Sequence, residues 1–290
     1  MESGARSELV RAARHGALIG LWIGGLGLAY YAVTYYVTAG GLGQDAHAYW
    51  LTAHRPELYG QAPNTKDAYL YSPVFAQVVW PLAKLPWPVF LAVWMSLEAL
   101  AFAWLLKPLR WQWAIPIGLL CVPEVLVGNV VGLVAVAVVL GMSRRPGFWA
   151  IPMLTKVSLA GVGAVWFVAR GEWRQVFVAG AWTASIVGIS VATWPDAWAG
   201  WIRLLTTTSS GRDVLIRTVL ALAFVAVSAR RGWWWAIPCA LVAVTPVLNA
   251  TQPLLYLVAL VRLRRQSRES WPNSIPAGIT PSPVRSAVGR

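Results

Sequence analysis

Charge is scarce in this chain. Only 12% of its 290 residues are Asp, Glu, Lys or Arg, while 58% are hydrophobic, and the mean hydropathy is +0.57. Soluble domains carry about 25% charged residues, so a water-soluble globule is excluded and a polytopic membrane protein is expected. Cysteine is nearly absent too: Cys121 and Cys239 both lie in apolar stretches and read as buried free thiols, not as a disulfide scaffold or a metal pair. With three histidines and no HxxxH, a metal site has little to draw on. Acidic residues number 11 against 24 Lys and Arg, giving +13. That balance does not indicate nucleic-acid binding, because the cations are spread through short interhelical loops and form no aromatic-laced patch.

What is present is a set of apolar runs with polar punctuation. Ala17 to Thr38 gives about 22 residues without charge, and at ~1.5 Å per residue such a helix crosses a hydrocarbon core of about 30 Å. No short apolar core with a cleavage pattern precedes it, so it is expected to stay as a signal anchor. Arg6, Arg11, Arg14, Lys107, Arg110, Arg144, Arg145, Arg170, Arg174, Arg230, Arg231, Arg262, Arg264, Arg265 and Arg268 fall on one side of a zigzag that starts with a cytoplasmic N-terminus. Asp45, Glu57, Asp67, Glu124, Asp196 and Asp213 fall on the other. The expected topology is multi-pass with both termini cytoplasmic. It divides the chain into a cytoplasmic N-terminus (1–16), a transmembrane domain (17–263) with an outer loop at 39–71, and a Pro- and Ser-rich tail (264–290) expected to be disordered.

Several runs are too short for ordinary spans. Ser72 to Ala83 is about 12 residues and predicts a re-entrant or interfacial piece. Ala114 to Val127 and Val130 to Met142 meet at Gly128-Asn129, and Phe148 to Leu154 meets Val157 to Val168 at Thr155-Lys156. These read as broken helices, and broken backbone at membrane depth implies protein or a water-filled cavity around it. Asp196 to Ser210 reads as an amphipathic segment at the interface, and a last hairpin is expected to turn at Asn249 to Gln252.

Chemistry concentrates in Gln44 to Pro73. Asp45 suits a helix N-cap, and it equally suits a general base whose pKa is pushed up at a partly desolvated membrane edge. Tyr49, four residues on, shares its helical face. His47 and His54 are seven apart, near one helical face; they could bind a metal with Asp45, but without HxxxH, a second carboxylate or Cys they read as polar lining or interfacial hydrogen-bonding groups. Asn129 and Lys156 sit at breaks between apolar runs, where Lys156 suits either a lipid phosphate or snorkelling to headgroups. Glu98 stands mid-span and reads as structural, either paired with a cation or protonated. Arg203, Arg212 and Arg217 cluster near an outer Trp-bearing segment and suit an anionic group or lipid phosphates.

Asp45, Tyr49, Leu58-Tyr59-Gly60, Tyr69-Leu70-Tyr71-Ser72-Pro73 and Pro81-Leu82-Ala83-Lys84-Leu85-Pro86, followed by Gly128-Asn129-Val130-Val131 and Lys156, together resemble glycosyltransferase family 87. The recognisable motifs cover roughly residues 20 to 175, with only hydropathy beyond. Ser72 stands where the family has the first of two prolines, Asn129 and Val131 where it has Gln and Asn, and Val157 where it has Pro. The resemblance implies an all-α polytopic membrane protein, a C-type glycosyltransferase-like bundle with about eight to ten full or broken transmembrane helices. It implies residence in a bacterial plasma membrane and inverting transfer of a hexose, as mannose, from a polyprenyl-phosphate sugar to a lipid or glycan acceptor at the outer face. Asp45 would be the catalytic base. His47, Tyr49, Tyr59, Tyr69, Tyr71, Asn129, Lys156, Arg203 and Arg212 would bind substrate, with no metal and no cofactor. A transporter or flippase for a lipid-linked substrate, or a non-catalytic family member, are the alternatives.

Overall fold

A computed structural model describes residues 2–63, 65–143, 145–207, 211–245 and 253–270. Thirteen α-helices and no strand occur among these residues. They are α1 (Glu2–Thr38), α2 (Gln44–Trp50), α3 (Pro73–Ala83), α4 (Trp87–Leu106), α5 (Trp111–Val127), α6 (Val131–Met142), α7 (Ala150–Thr155), α8 (Val157–Ala169), α9 (Trp173–Thr193), α10 (Pro195–Thr207), α11 (Arg212–Arg230), α12 (Ala236–Val244) and α13 (Ala259–Ser270). Three are long and apolar enough to cross a membrane: α1 from Ser7, α4 and α9. The pair α5 and α6 makes a fourth candidate, bent by 118° at its break. The all-α polytopic membrane fold is therefore what the chain adopts.

Apolar faces dictate the layering. α6 is apolar all round and sits at the centre, with Val131, Val134, Ala135, Val138 and Val139 fully buried; a helix without a polar face is stable only when surrounded. α4, α7, α13 and the 3-10 turns Pro146–Trp149 and Pro253–Val258 pack against it, and α1 lies along α5, where Gly25 approaches the Pro116 carbonyl so closely that a Cβ would come within 2.7 Å. α1 and α9 leave most of their apolar side chains uncovered, with 17% and 11% of their spanning windows buried against 44% for α4. These are the lipid-facing helices.

The short run after the tyrosine-rich loop is the helix α3, started by Pro73 at its first turn. Helix runs past the expected transmembrane domain at both ends. The N-terminal stretch 2–16 continues the first span as one helix, and residues 264–270, expected to begin the disordered tail, form the end of α13. The remainder of that tail, and the turn at Asn249 to Gln252, lie outside the described residues.

Candidate active site

The site is built where two helix breaks meet the short helix α2. The first break follows α5. Gly128 adopts φ 75°, a left-handed conformation that glycine enters without a Cβ penalty. Its N–H donates to Val125 O at 3.1 Å while Asn129 N–H donates to Glu124 O at 3.2 Å, the paired bonds of a Schellman stop. The neighbouring carbonyls are taken from outside the helix: Leu126 O accepts from Gly43 N–H at 2.7 Å, and Gly128 O accepts from Trp94 Nε1 at 2.8 Å. A Cβ on Gly128 would stand 2.5 Å from that of Ala46, so the start of α2 rests directly on the break.

The opening turn of α6 has orphan N–H groups, and two of them find an acceptor on another helix. Glu98 of α4 accepts from Gly132 N–H at 2.8 Å and Leu133 N–H at 3.4 Å. The buried carboxylate thus caps α6 across helices, with the helix dipole favouring its charge. Glu98, read from the sequence as structural and either paired with a cation or protonated, accepts here from backbone N–H groups.

The second break lies between α7 and α8 at Lys156, which is extended at φ −131°, ψ 97°. Interrupting the helix frees the carbonyl of Leu154, and the buried hydroxyl of Ser72 donates to it. Ser72 sits at the N-cap of α3 but makes no capping bond, because its hydroxyl is turned to α7. A proline at this position could donate nothing, so the departure from the family pattern supplies the tie between the tyrosine loop and the lysine break.

These supports bring three of the sequence-predicted residues together. Asn129 Nδ2 donates to Asp45 Oδ2 at 2.5 Å. Lys156 interacts electrostatically with Asp45, and also with Glu124 and Glu98. Burial raises the Asp45 pKa above the usual carboxylate value, while the Lys156 charge and the Asn129 hydrogen bond pull it the other way. Asp45 heads α2 without making a side-chain cap, and Gly43 occupies the N-cap position. The capping reading is therefore replaced by a carboxylate aimed at the breaks.

The tyrosines form the adjoining wall. Tyr49 Oη donates to Tyr71 Oη at 2.8 Å, Tyr59 Oη to Tyr71 O at 2.8 Å and Tyr69 Oη to Ser72 O at 3.0 Å. Tyr49 and Tyr69 are buried against Phe75, and Tyr49 also meets Trp94. Tyr71 is half-buried and interacts electrostatically with Asp45. The hydroxyls of Tyr49, Tyr59 and Tyr69 are thus all taken up within the Tyr69–Ser72 segment, binding α2 and the outer loop to it.

Other candidates lie elsewhere. His47 Nδ1 is 2.8 Å from Asp67 Oδ1, and Arg55 donates to Asp67 O at 2.9 Å, a clamp that holds Asp67 at φ 62°. His54 Nδ1 bonds Trp50 O at 3.0 Å. No group of three His, Cys, Asp or Glu side chains suited to a metal occurs among the described residues. Arg203 and Arg212 are exposed on α10 and α11. Arg217 donates to Ala243 O and Thr245 O at the C-terminus of α12, a helix-stopping role. Tyr256, buried on the 3-10 turn Pro253–Val258, escaped the sequence reading because it lies in an uninterrupted apolar run.

A family profile, glycosyltransferase family 87, matches residues 69–273. The chain belongs to glycosyltransferase family 87. The match carries Tyr69, Tyr71, Asn129, Lys156 and Tyr256, and it extends well past residue 175, where recognisable motifs had ended. Asp45, His47, Tyr49 and Tyr59 precede it, so their place in the site rests on the contacts above. Comparison with curated proteins and with solved structures gave no match. Family membership makes this a membrane glycosyltransferase, and Asp45, Asn129 and Lys156 are its candidate active-site residues.

Proposed function

We propose that the protein transfers a hexose, mannose being the preferred sugar, from a polyprenyl-phosphate donor to a lipid or glycan acceptor at the outer face of a bacterial plasma membrane. Both termini are then cytoplasmic, and the catalytic unit is the transmembrane domain 17–263. The observation that carries this reading is the Asp45–Asn129 contact beside Lys156, formed where α2 and two broken helices converge.

The acceptor hydroxyl gives its proton to the Asp45 carboxylate as its oxygen attacks the anomeric carbon. The bond from that carbon to the phosphate oxygen breaks on the opposite side, so the configuration inverts. The departing lipid phosphate gains negative charge, which the Lys156 ammonium stabilises in a low-dielectric setting. Asn129 fixes the carboxylate through its Nδ2 donor and leaves the other oxygen, Oδ1, for the hydroxyl. In the donor-free protein Lys156 is drawn to Asp45; an incoming phosphate competes for that charge and leaves Asp45 more basic. A single donor phosphate met by a lysine needs no metal bridge, and no cofactor enters the scheme.

The test is transfer of radiolabelled mannose from synthetic polyprenyl-phosphate-mannose to membrane lipid extract by purified wild type and Asp45→Asn. The expected result is label in a lipid or glycan product with the wild type and a loss of roughly 10²–10⁴-fold in the variant, the usual range for removing a general base. A folded wild type that transfers nothing, or an Asp45→Asn variant as active as wild type, overturns the proposal.

A further inference from the structure

The side chains of α10 sort into three sectors around the helix. At about 100° per residue, Ala197, Gly200, Trp201 and Leu204 share one side, and all are buried or half-buried. Ala199, Ile202 and Leu205 take the next side, with Ile202 55% and Leu205 48% exposed. Asp196 and Arg203 fall in the remaining sector, also exposed. A helix with protein on one side and water on the other shows two sectors. The third, apolar yet uncovered, needs a medium of its own. The inner sector reaches the site. A Cβ on Gly200 would stand 3.0 Å from the Tyr59 ring, so α10 lies directly on that tyrosine. Trp198 packs against the buried cluster of Val74, Ala150 and Leu154, and its Nε1 donates to Ser190 Oγ at 3.0 Å. Tyr59 Oη donates to Tyr71 O, Tyr71 Oη accepts from Tyr49, and Tyr49 stands on α2 with Asp45. Contacts therefore run without a gap from α10 to the helix that carries Asp45.

We propose that α10 is a brace seated in the lipid surface: Ala199, Ile202 and Leu205 enter the boundary between headgroups and acyl chains, Asp196 and Arg203 stay in water, and the helix so held keeps Gly200 on Tyr59 and the tyrosine wall on α2. Lipid is the occupant because α10 continues a lipid-facing helix. Only Trp194 separates it from α9, whose last turns leave Ile189 and Val191 exposed, and the next helix, α11, opens with Leu215 and Ile216 exposed. A second copy of the chain would find too little here, since specific interfaces bury about 800 Å² per partner and Ile202 and Leu205 are the large apolar side chains of the sector. The hydroxyl of Thr206, one turn from Ile202, donates to Ile202 O at 3.0 Å and so brings no unmet donor to the lipid. Interfacial helices bind by burying such a face to a depth of about 5–10 Å.

The experiment labels the full chain with a fluorophore at Ile202→Cys, Leu205→Cys, Asp196→Cys or Arg203→Cys in nanodiscs of phosphatidylcholine and phosphatidylglycerol, the unsubstituted chain with Cys121 and Cys239 serving as the labelling blank. Iodide quenches from water, and a lipid spin-labelled at headgroup depth quenches from the bilayer. The expected result is quenching by the lipid probe at 202 and 205 and by iodide at 196 and 203. Iodide quenching at all four positions overturns the lipid seat. Shielding of 202 and 205 from both quenchers also overturns it and marks a protein partner such as a second copy. The brace is read by sugar transfer and rests on the function proposed above. Ile202→Asp/Leu205→Asp should lose transfer while remaining folded in thermal unfolding, and Ile202→Leu/Leu205→Ile should keep it. A folded Asp pair as active as wild type, or an equal loss in the conservative pair, overturns the brace. An inactive wild type removes the proposed function and the brace with it, while the quenching pattern still decides the lipid seat.

Discussion

The two helix breaks are held in different ways. At Gly128–Val130 the chain bends by 118°, and the backbone groups it exposes are taken up by Gly43, Trp94 and Glu98 from α2 and α4. At Lys156 the sequence offers one external brace, the Ser72 hydroxyl on Leu154 O, and places a cation at the gap. The first break is a fixed scaffold whose backbone is spoken for, and the second presents a charge to whatever enters. Irregular backbone at membrane depth needs partners, and the difference lies in whether protein or ligand supplies them.

Of changes at the breaks themselves, removing the charge from the second should have the largest effect. Lys156→Met is expected to lower transfer by roughly 10²–10³-fold, the scale for losing one electrostatic contact to a developing charge, while the protein stays folded; steady-state transfer together with thermal unfolding checks both halves. At the first break the effect should appear in stability. Glu98→Ala strips two N–H groups of their acceptor and is expected to cost roughly 3 kcal/mol, with Glu98→Gln losing less because one carbonyl oxygen can still accept. Denaturant unfolding in detergent measures this, and equal losses from the two variants would argue against the cap. Ser72→Ala leaves Leu154 O without its donor and should cost about 1 kcal/mol, with a smaller loss of transfer through the displaced lysine.

The pH profile sharpens the comparison further. Burial raises the Asp45 pKa from 3.8, and only the carboxylate can take the acceptor's proton, so kcat/KM should fall as pH drops through that raised value. Asn129→Ala removes a bond that favours the carboxylate and should move the limb to still higher pH. Stability has the opposite sign. A folded pKa above the unfolded one contributes stability that is complete below the unfolded value and is lost as pH rises through the folded value, so the protein is slightly less stable where Asp45 is an active base.

Much of this architecture was legible before the fold was known. Apolar runs too short to span, interrupted by Gly128-Asn129 and by Lys156, announced the breaks, because bilayer thickness sets a minimum helix length. Asp45 stood out as a carboxylate beside a long span. The contacts that make the breaks work were not legible: Glu98 to Gly132 and Ser72 to Leu154 join residues 34 and 82 positions apart, and no local pattern encodes such pairings. Arg203 and Arg212, read as an anion clamp from their charge and proximity in sequence, are exposed on α10 and α11. Tyr256 was hidden for the opposite reason, as an aromatic in an apolar run reads as core until its hydroxyl is found without a partner.

The central claim is that the Gly128–Val130 break and the head of α2 form one catalytic unit, and the most direct measurement is a double-mutant cycle on transfer rate with Asp45→Asn, Asn129→Ala and the pair. Residues acting as a unit are strongly non-additive. The account predicts that Asn129→Ala slows the wild type but makes Asp45→Asn no worse. A double variant whose loss is the product of the two single losses would show that Asn129 acts independently of Asp45 and would contradict it.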